Sequence, residues 1–378
     1  MRIAQIAPLY ESCPPQLYGG TERVVSWLTE ELVKMGHDVT LFASGDSRTA
    51  ARLVAGSRRA LRLDPDVADP IAHHMVLMNK VMREADDFDV LHFHTEYLHF
   101  PTFSSGAHPI VTTMHGRQDL PDLAPVYREF AGTPLVSISD DQRRPVPNAS
   151  WVRTIHHGLP ADLLPYGRGD GGYLAFVGRV SPEKGLDRAI RIAREAGIPL
   201  KVAAKIDKAD EAYFREVLTP LLQEPGMEFL GEINEAQKRD FLGRARALLF
   251  PIKWPEPFGL VMIEAMACGT PVLAFRHGSV PEVLEDGLTG AIVTTMEEAH
   301  AVLPAVLKLN RRAVRARFEE RFSATRMAKD YVALYESLVR QPMALPSQEV
   351  IAASLGNPTE PRIELHAAAA MGAPKHTV

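Results

Sequence analysis

Two glutamates eight positions apart, Glu256 and Glu264, sit inside the stretch from Phe250 to Gly290. Between them a Pro257-Phe258-Gly259 turn leads into an apolar run that begins at Leu260. This layout puts Glu256 in a loop before a helix and Glu264 within the helix. A chain entering a helix directs the backbone N–H groups of Phe258, Gly259 and Leu260 outward, where the helix dipole favours an anion. A sugar, a diphosphate and a ribose are a natural set of guests for two carboxylates and a row of N–H donors. The plain alternatives are a loop carboxylate beside two prolines and a surface glutamate on an amphipathic helix.

Other residues point to the same chemistry. Arg179 and Lys184 stand five positions apart across a Ser181-Pro182-Glu183 turn, close enough to serve one phosphate site. Arginine grips phosphate with two parallel hydrogen bonds and lysine acts as a point charge. A solvated basic turn with Glu183 as partner is the competing reading. Gly19 and Gly20 follow the first predicted strand and precede a helix, so backbone there can approach a phosphate or an acceptor; a simple tight turn would use the same residues. His115 lies in Thr113-Met114-His115-Gly116, at the C-terminal end of a predicted strand, where sites form in α/β proteins. His92 and His94 alternate along another strand and face one side. They lack a third metal ligand in sequence, so packing, or acceptor contact from His94, is the preferred reading. The Asp-x-Asp pairs Asp64-Pro65-Asp66 and Asp87-Phe88-Asp89 fall in a loop and at a strand start, away from Arg179 and Lys184. Glu282 sits at a helix start, where an acid complements the dipole.

The elements that must position these groups alternate strand and helix twice over, which argues for parallel α/β construction. Strands are expected at 2–7, 38–43, 89–94, 109–113, 135–138 and 152–155, with a helix at 21–36. A Gly- and Pro-rich segment at 158–172 reads as a link between domains. The alternation then restarts. Strands are expected at 173–178, 200–204, 227–230, 247–250 and 271–274. Helices are expected at 185–196, 209–223, 235–244, 260–268, 279–285, 296–308 and 324–340. From Gln341 onward the chain is Pro-rich and reads as a flexible tail over 341–378, with a helix at 347–355 as an option.

Composition is that of an ordinary globular protein. The chain has 378 residues, 46% hydrophobic and 24% charged, enough for about two domains. A net charge of −5 gives no general basic character, which speaks against nucleic acid as a partner. Two cysteines, Cys13 and Cys268, indicate no disulfide framework. The N-terminus lacks a signal-peptide pattern and no run approaches the ~18 apolar residues of a spanning helix. A cytoplasmic location is therefore expected. Arg58, Arg59 and Arg62 read as a solvated helix face, with peripheral membrane contact as the lesser option.

The motifs together resemble family 4 glycosyltransferases. Pro255 to Leu260 followed by Glu264 to Val272 is similar to the family's Glu-x7-Glu signature. Phe176 to Gly185 is similar to its Gly-Arg…Lys-Gly diphosphate loop, Tyr18 to Arg23 to its first glycine-rich loop, and Thr113 to Gly116 to its Thr-x-His-Gly turn. The resemblance spans roughly residues 1–340. It implies a GT-B fold: an acceptor-side Rossmann-like domain over 1–158, a nucleotide-sugar-binding one over 159–323, a facing cleft, and a helix at 324–340 that crosses back to the first domain. It implies a retaining transfer of a hexose from a nucleotide sugar, UDP-glucose by family frequency, to a small-molecule or glycan hydroxyl, without a metal or other cofactor. By the same resemblance Glu264 holds the ribose, Glu256 the hexose, and His115 lies by the donor sugar. Arg179 and Lys184 stabilise the leaving diphosphate during front-face attack. Gly19, Gly20, Phe258, Gly259 and Leu260 contact the donor or acceptor. The family's usual glycine pair is replaced here by His277-Gly278. A nucleotide-sugar epimerase of the same fold and a non-catalytic sugar-nucleotide-binding subunit are the rival readings. The acceptor and the oligomeric state are not specified.

Overall fold

The computed structural model describes residues 1–16, 19–104 and 106–340. The expected tail from Gln341, its optional helix at 347–355, and Tyr18 of the first glycine loop lie outside the described residues.

The first half of the chain runs β1 (Arg2–Ile6), α1 (Gly20–Lys34), β2 (Asp38–Ser44), β3 (Arg52–Ser57), α2 (Pro70–Glu84), β4 (Val90–Phe93), α3 (Phe100–Phe103), β5 (Ile110–Thr113), α4 (Leu123–Glu129), β6 (Leu135–Ser137), α5 (Asp140–Arg143) and β7 (Trp151–Thr154). The second half runs β8 (Leu174–Val180), α6 (Leu186–Ala196), β9 (Leu200–Ile206), α7 (Glu211–Tyr213), α8 (Thr219–Leu222), β10 (Met227–Gly231), α9 (Glu235–Arg244), β11 (Ala247–Phe250), α10 (Leu260–Ala267), β12 (Val272–Phe275), α11 (Val280–Val283), β13 (Gly290–Val293), α12 (Met296–Val306), α13 (Arg311–Arg321) and α14 (Ala324–Arg340).

These strands form two all-parallel sheets, ordered β3-β2-β1-β4-β5-β6-β7 and β10-β9-β8-β11-β12-β13. Parallel strands with helices on both faces bury both sides and so read as unbroken apolar runs. Ile3, Ala4 and Ile6 of β1 and Leu248 and Leu249 of β11 are accordingly buried. In each sheet the chain starts mid-sheet, winds outward, then returns to the other side of its first strand. The crevice at that reversal is where α/β sheets bind ligands. The reversals lie between β1 and β4 and between β8 and β11. The loops leaving these four strands carry Gly19, His94, Lys184 and Glu256. The two halves are Rossmann-like domains.

The crossing helix is present. In α14, Met327, Ala328, Tyr331, Leu334, Tyr335 and Leu338 are buried at helical spacing, and the helix packs against α1 and β4 of the first domain. Beside it the expected linker is pinned. Leu159 N donates to Phe322 O at 3.0 Å, and Ala324 N donates to Leu159 O at 2.9 Å. A Cβ on Gly158 would fall 2.3 Å from Ser323 O, so the two crossing strands of chain approach closely only because that residue is glycine.

Several expectations need correction. The helix expected at 209–223 is present but not uniform, since α7, a π-helical turn over Phe214–Leu218 and α8 follow one another without a break. Arg58, Arg59 and Arg62 lie on no α-helix. Arg58 and Arg59 pair with Asp64 in the loop after β3, and Arg62, in a 3-10 turn, pairs with Glu11 at 2.9 Å. β3, α2, α3, α4, α5, β13 and α13 were not anticipated.

Candidate active site

A cavity of about 830 Å³ opens between the two domains, and all ten sequence-selected candidates line it. Gly19, Gly20 and His115 come from the first domain. Arg179, Lys184, Glu256, Phe258, Gly259, Leu260 and Glu264 come from the second.

The second domain's wall is built around the start of α10. Gly259 caps the helix with φ 75°, and a Cβ there would sit 2.9 Å from Met262 Cε and 3.0 Å from Phe250 Cζ. Phe258 anchors the turn. Its buried ring packs on His157 (4.9 Å between centroids) and Phe322 (6.2 Å), and its carbonyl accepts from Ser279 Oγ at 2.8 Å. Phe258 therefore offers the cavity a backbone N–H and no side-chain chemistry. Glu264, only 4% exposed, accepts from Lys238 Nζ of α9 at 2.7 Å. Glu256 accepts from Trp254 Nε1 at 2.9 Å and pairs with Lys184, whose ammonium lies 4.9 Å from the centre of the Trp254 ring. Lys184 reaches this position because Gly185, at φ 72°, closes onto β11's exit; a Cβ there would meet Pro251 O at 2.1 Å. Arg179 pairs with Glu183 at 3.1 Å and Asp207 at 3.6 Å. Arg179 thus lines the cavity and also has the Glu183 partner of the competing reading.

The first domain's wall is richer in titratable groups than the sequence suggested. Burial pushes the Glu22 carboxyl up to about 7. Burial drives the His115 imidazole down to about 3, so it is neutral at physiological pH. Its Nε2 lies 2.9 Å from His94 Nδ1, and its ring stacks 5.2 Å from that of His157. His92 and His94 face one side as expected and are tied to protein partners, His92 to Tyr335 and Thr113, each at 2.7 Å. Asp64 and Asp89 are engaged with Arg58 and Arg2, each at 3.1 Å.

The two walls touch. Arg23 of α1 pairs with Glu235 of α9, the Arg117 guanidinium lies 5.6 Å from the Trp254 ring centre, and Gly20 approaches Leu260. Glu282 lies in the first turn of α11, as expected, and its side chain reaches beyond that helix. It accepts from the backbone N–H groups of Asp140 (2.7 Å) and Asp141 (2.8 Å) across the domain boundary, and from His156 (3.2 Å). Burial opposes its charge, but His156 and those N–H groups outweigh it and hold its carboxyl below the usual range.

Sequence reasoning missed Lys238, Trp254, Glu22 and Arg117. Trp254 and Arg117 each adjoin a motif and Glu22 lies inside one, so all three had a signal. Lys238 had none, because its partner is remote in the chain.

Known proteins are similar to this chain in sequence and in fold. Residues 18–163 match the model described as Glycosyltransferase Family 4, and residues 167–322 match Glycosyl transferases group 1. The chain belongs to the family 4 glycosyltransferases. This glycosyltransferase is 27% identical over 344 residues to the phosphatidyl-myo-inositol mannosyltransferase of Mycolicibacterium smegmatis, covering 81% of this chain and 84% of that one. It is 26% identical to the alpha-maltose-1-phosphate synthase of the same organism, covering 78% and 84%. Among solved structures it is similar to sucrose-phosphate synthase from Thermosynechococcus elongatus (TM-score 0.74, 19% identity, 89% of this chain and 98% of that one). It is also similar to the Anabaena protein HepE in complex with UDP and glucose (TM-score 0.69, 18% identity, 89% and 100%). These likenesses establish the GT-B fold.

Proposed function

We propose that this glycosyltransferase moves a hexose from a nucleotide diphosphate sugar, UDP-glucose, to an acceptor hydroxyl with retention of anomeric configuration and without a metal. The observation that carries the reading is the pair of ion pairs flanking the start of α10, Lys184–Glu256 and Lys238–Glu264, both lining one interdomain cavity.

A bound diphosphate would compete with Glu256 for Lys184 and with Glu183 and Asp207 for Arg179. The helix N–H donors would face the same anion. Glu264 then accepts both hydroxyls of the ribose cis-diol, and Lys238 keeps it aimed. Glu256, released from Lys184 but still held by Trp254, turns to the hexose. As the glycosidic bond breaks, negative charge grows on the diphosphate. Cations that tighten on it in the transition state lower the barrier. The acceptor oxygen attacks the face the diphosphate leaves, and a phosphate oxygen takes its proton. His115, being neutral, serves as a hydrogen-bonding partner for the sugar rather than as a proton donor. Arg23–Glu235 and the Arg117–Trp254 contact close the walls and limit water. Support for the donor comes from HepE, which is seen with UDP and glucose. The acceptor side is the first domain, where Tyr10, Ile71 and Tyr97 give the cavity a partly exposed apolar rim beside Glu22.

The test is incubation of the full chain with UDP-glucose and a panel of hydroxyl acceptors without metal, followed by NMR. An α-glycoside and free UDP are expected. A β-product would overturn retention, and epimerised donor without transfer would overturn the transferase assignment.

A further inference from the structure

His115 lines the cavity, and its protonation can be traced through the surrounding hydrogen bonds. The trace begins on the crossing helix. Gln5, at the centre of β1, is fully buried and lies between three rings. Its Nε2 donates to Tyr335 Oη of α14 at 3.1 Å and lies 3.4 Å from His92 Nδ1, which is 2.7 Å from the Tyr335 hydroxyl. His92 Nε2 lies 2.7 Å from Thr113 Oγ1, which also contacts Tyr331 Oη at 2.8 Å. With its amide nitrogen engaged by Tyr335, Gln5 turns its carbonyl Oε1 toward His94 Nε2, 2.9 Å away.

A carbonyl can only accept, so His94 carries its proton on Nε2. His94 is buried and neutral, so its Nδ1 holds a lone pair. The neighbour of that lone pair is His115 Nε2 at 2.9 Å, which must then be the N–H. A neutral imidazole has one proton. His115 Nδ1 is left as an acceptor, with no protein partner among the described residues, on a ring that lines the cavity.

We propose that Gln5, oriented by Tyr335 of the crossing helix, fixes the tautomer of His115 so that Nδ1 accepts a hydrogen bond from a donor-sugar hydroxyl. The sugar contact rests on the function proposed above; the tautomer does not. Gln5 and Tyr335 are positioning residues. Neither lines the cavity, and both act through His94.

The experiment is nitrogen-15 NMR of the histidine rings in the full chain, with His115 assigned by its loss in His115→Asn. The wild-type protein is expected to show a bare Nδ1 and a protonated Nε2. Tyr335→Phe keeps the ring but removes the hydroxyl, freeing the Gln5 amide to reverse. A second tautomer with protonated Nδ1 is then expected at His115, with kcat for transfer falling on the order of tenfold while nucleotide affinity holds. Gln5→Leu is expected to do the same, and melting curves separate this from misfolding. A protonated Nδ1 in the wild type would overturn the proposal. So would a His115 tautomer that both variants leave unchanged. Failure to detect transfer, with the tautomers as expected, would count against the proposed function alone.

Discussion

Lys184 holds two contacts that a diphosphate must rearrange, the Glu256 carboxylate and the Trp254 ring. Its replacement therefore acts on the charge that develops during reaction. Lys184→Ala is expected to lower kcat at least about tenfold with the fold intact, since a preorganised cation acts chiefly in the transition state. Steady-state kinetics beside a circular dichroism spectrum checks this, and near-normal turnover would contradict it. At this scale much of the site was legible. Glu256, Glu264, Arg179 and Lys184 stood out because each pair lies within one loop or one loop-helix junction, where spacing constrains geometry. Lys238 and Gln5 did not. Lys238 is 26 positions from Glu264, and Gln5 is 89 positions from His94. Only the folded sheet brings them together.

Elements with clean apolar runs were readable, and those whose pattern depends on tertiary partners were not. The strands of both sheet centres were visible because burial on both faces leaves unbroken apolar runs. α2 was missed because Ile71, Met75 and Val76 point to solvent, blurring its stripe. α13 was missed because its sequence, RRAVRARFEER, is dominated by arginine, yet those arginines have structural tasks. Arg311 donates to the carbonyls of Gly167, Gly243, Ala245 and Cys268 and to Thr270 Oγ1. It ties the interdomain link to α9, α10 and the start of β12. Arg311→Met would strand several part-buried carbonyls, so a loss of about 2–4 kcal/mol in stability is expected. Urea unfolding measures it, and a loss well under about 1 kcal/mol would show that water replaces the guanidinium.

Across the whole molecule, the histidines of the first domain couple the fold to pH. Burial holds His92, His94, His99 and His157 well below the ordinary value and His115 at about 3. In the unfolded chain they titrate near about 6.5. The unfolded state thus binds more protons as pH falls below that value, and stability drops with it. Glu22 works the other way. Its raised carboxyl favours the folded state below the unfolded glutamate value and loses that contribution as pH rises toward 7. Burial raises the Glu11 and Glu96 carboxyls as well, but five histidines outweigh three glutamates, so urea midpoints are expected to fall from pH 7.5 to 5.5. A midpoint that holds or rises would contradict the burial of those rings as neutral groups.

The cleft between the domains brings all ten candidate residues together, and its use as a nucleotide-sugar site is the central claim. The most direct measurement is calorimetric titration of the full chain with UDP, GDP and ADP, without metal and then with magnesium, repeated on Glu264→Gln. The account predicts metal-independent binding selective for UDP, weakened by about 1.5–3 kcal/mol in the variant through loss of hydrogen bonds to a charged acceptor. Binding that requires magnesium, or that Glu264→Gln leaves unchanged, would contradict it.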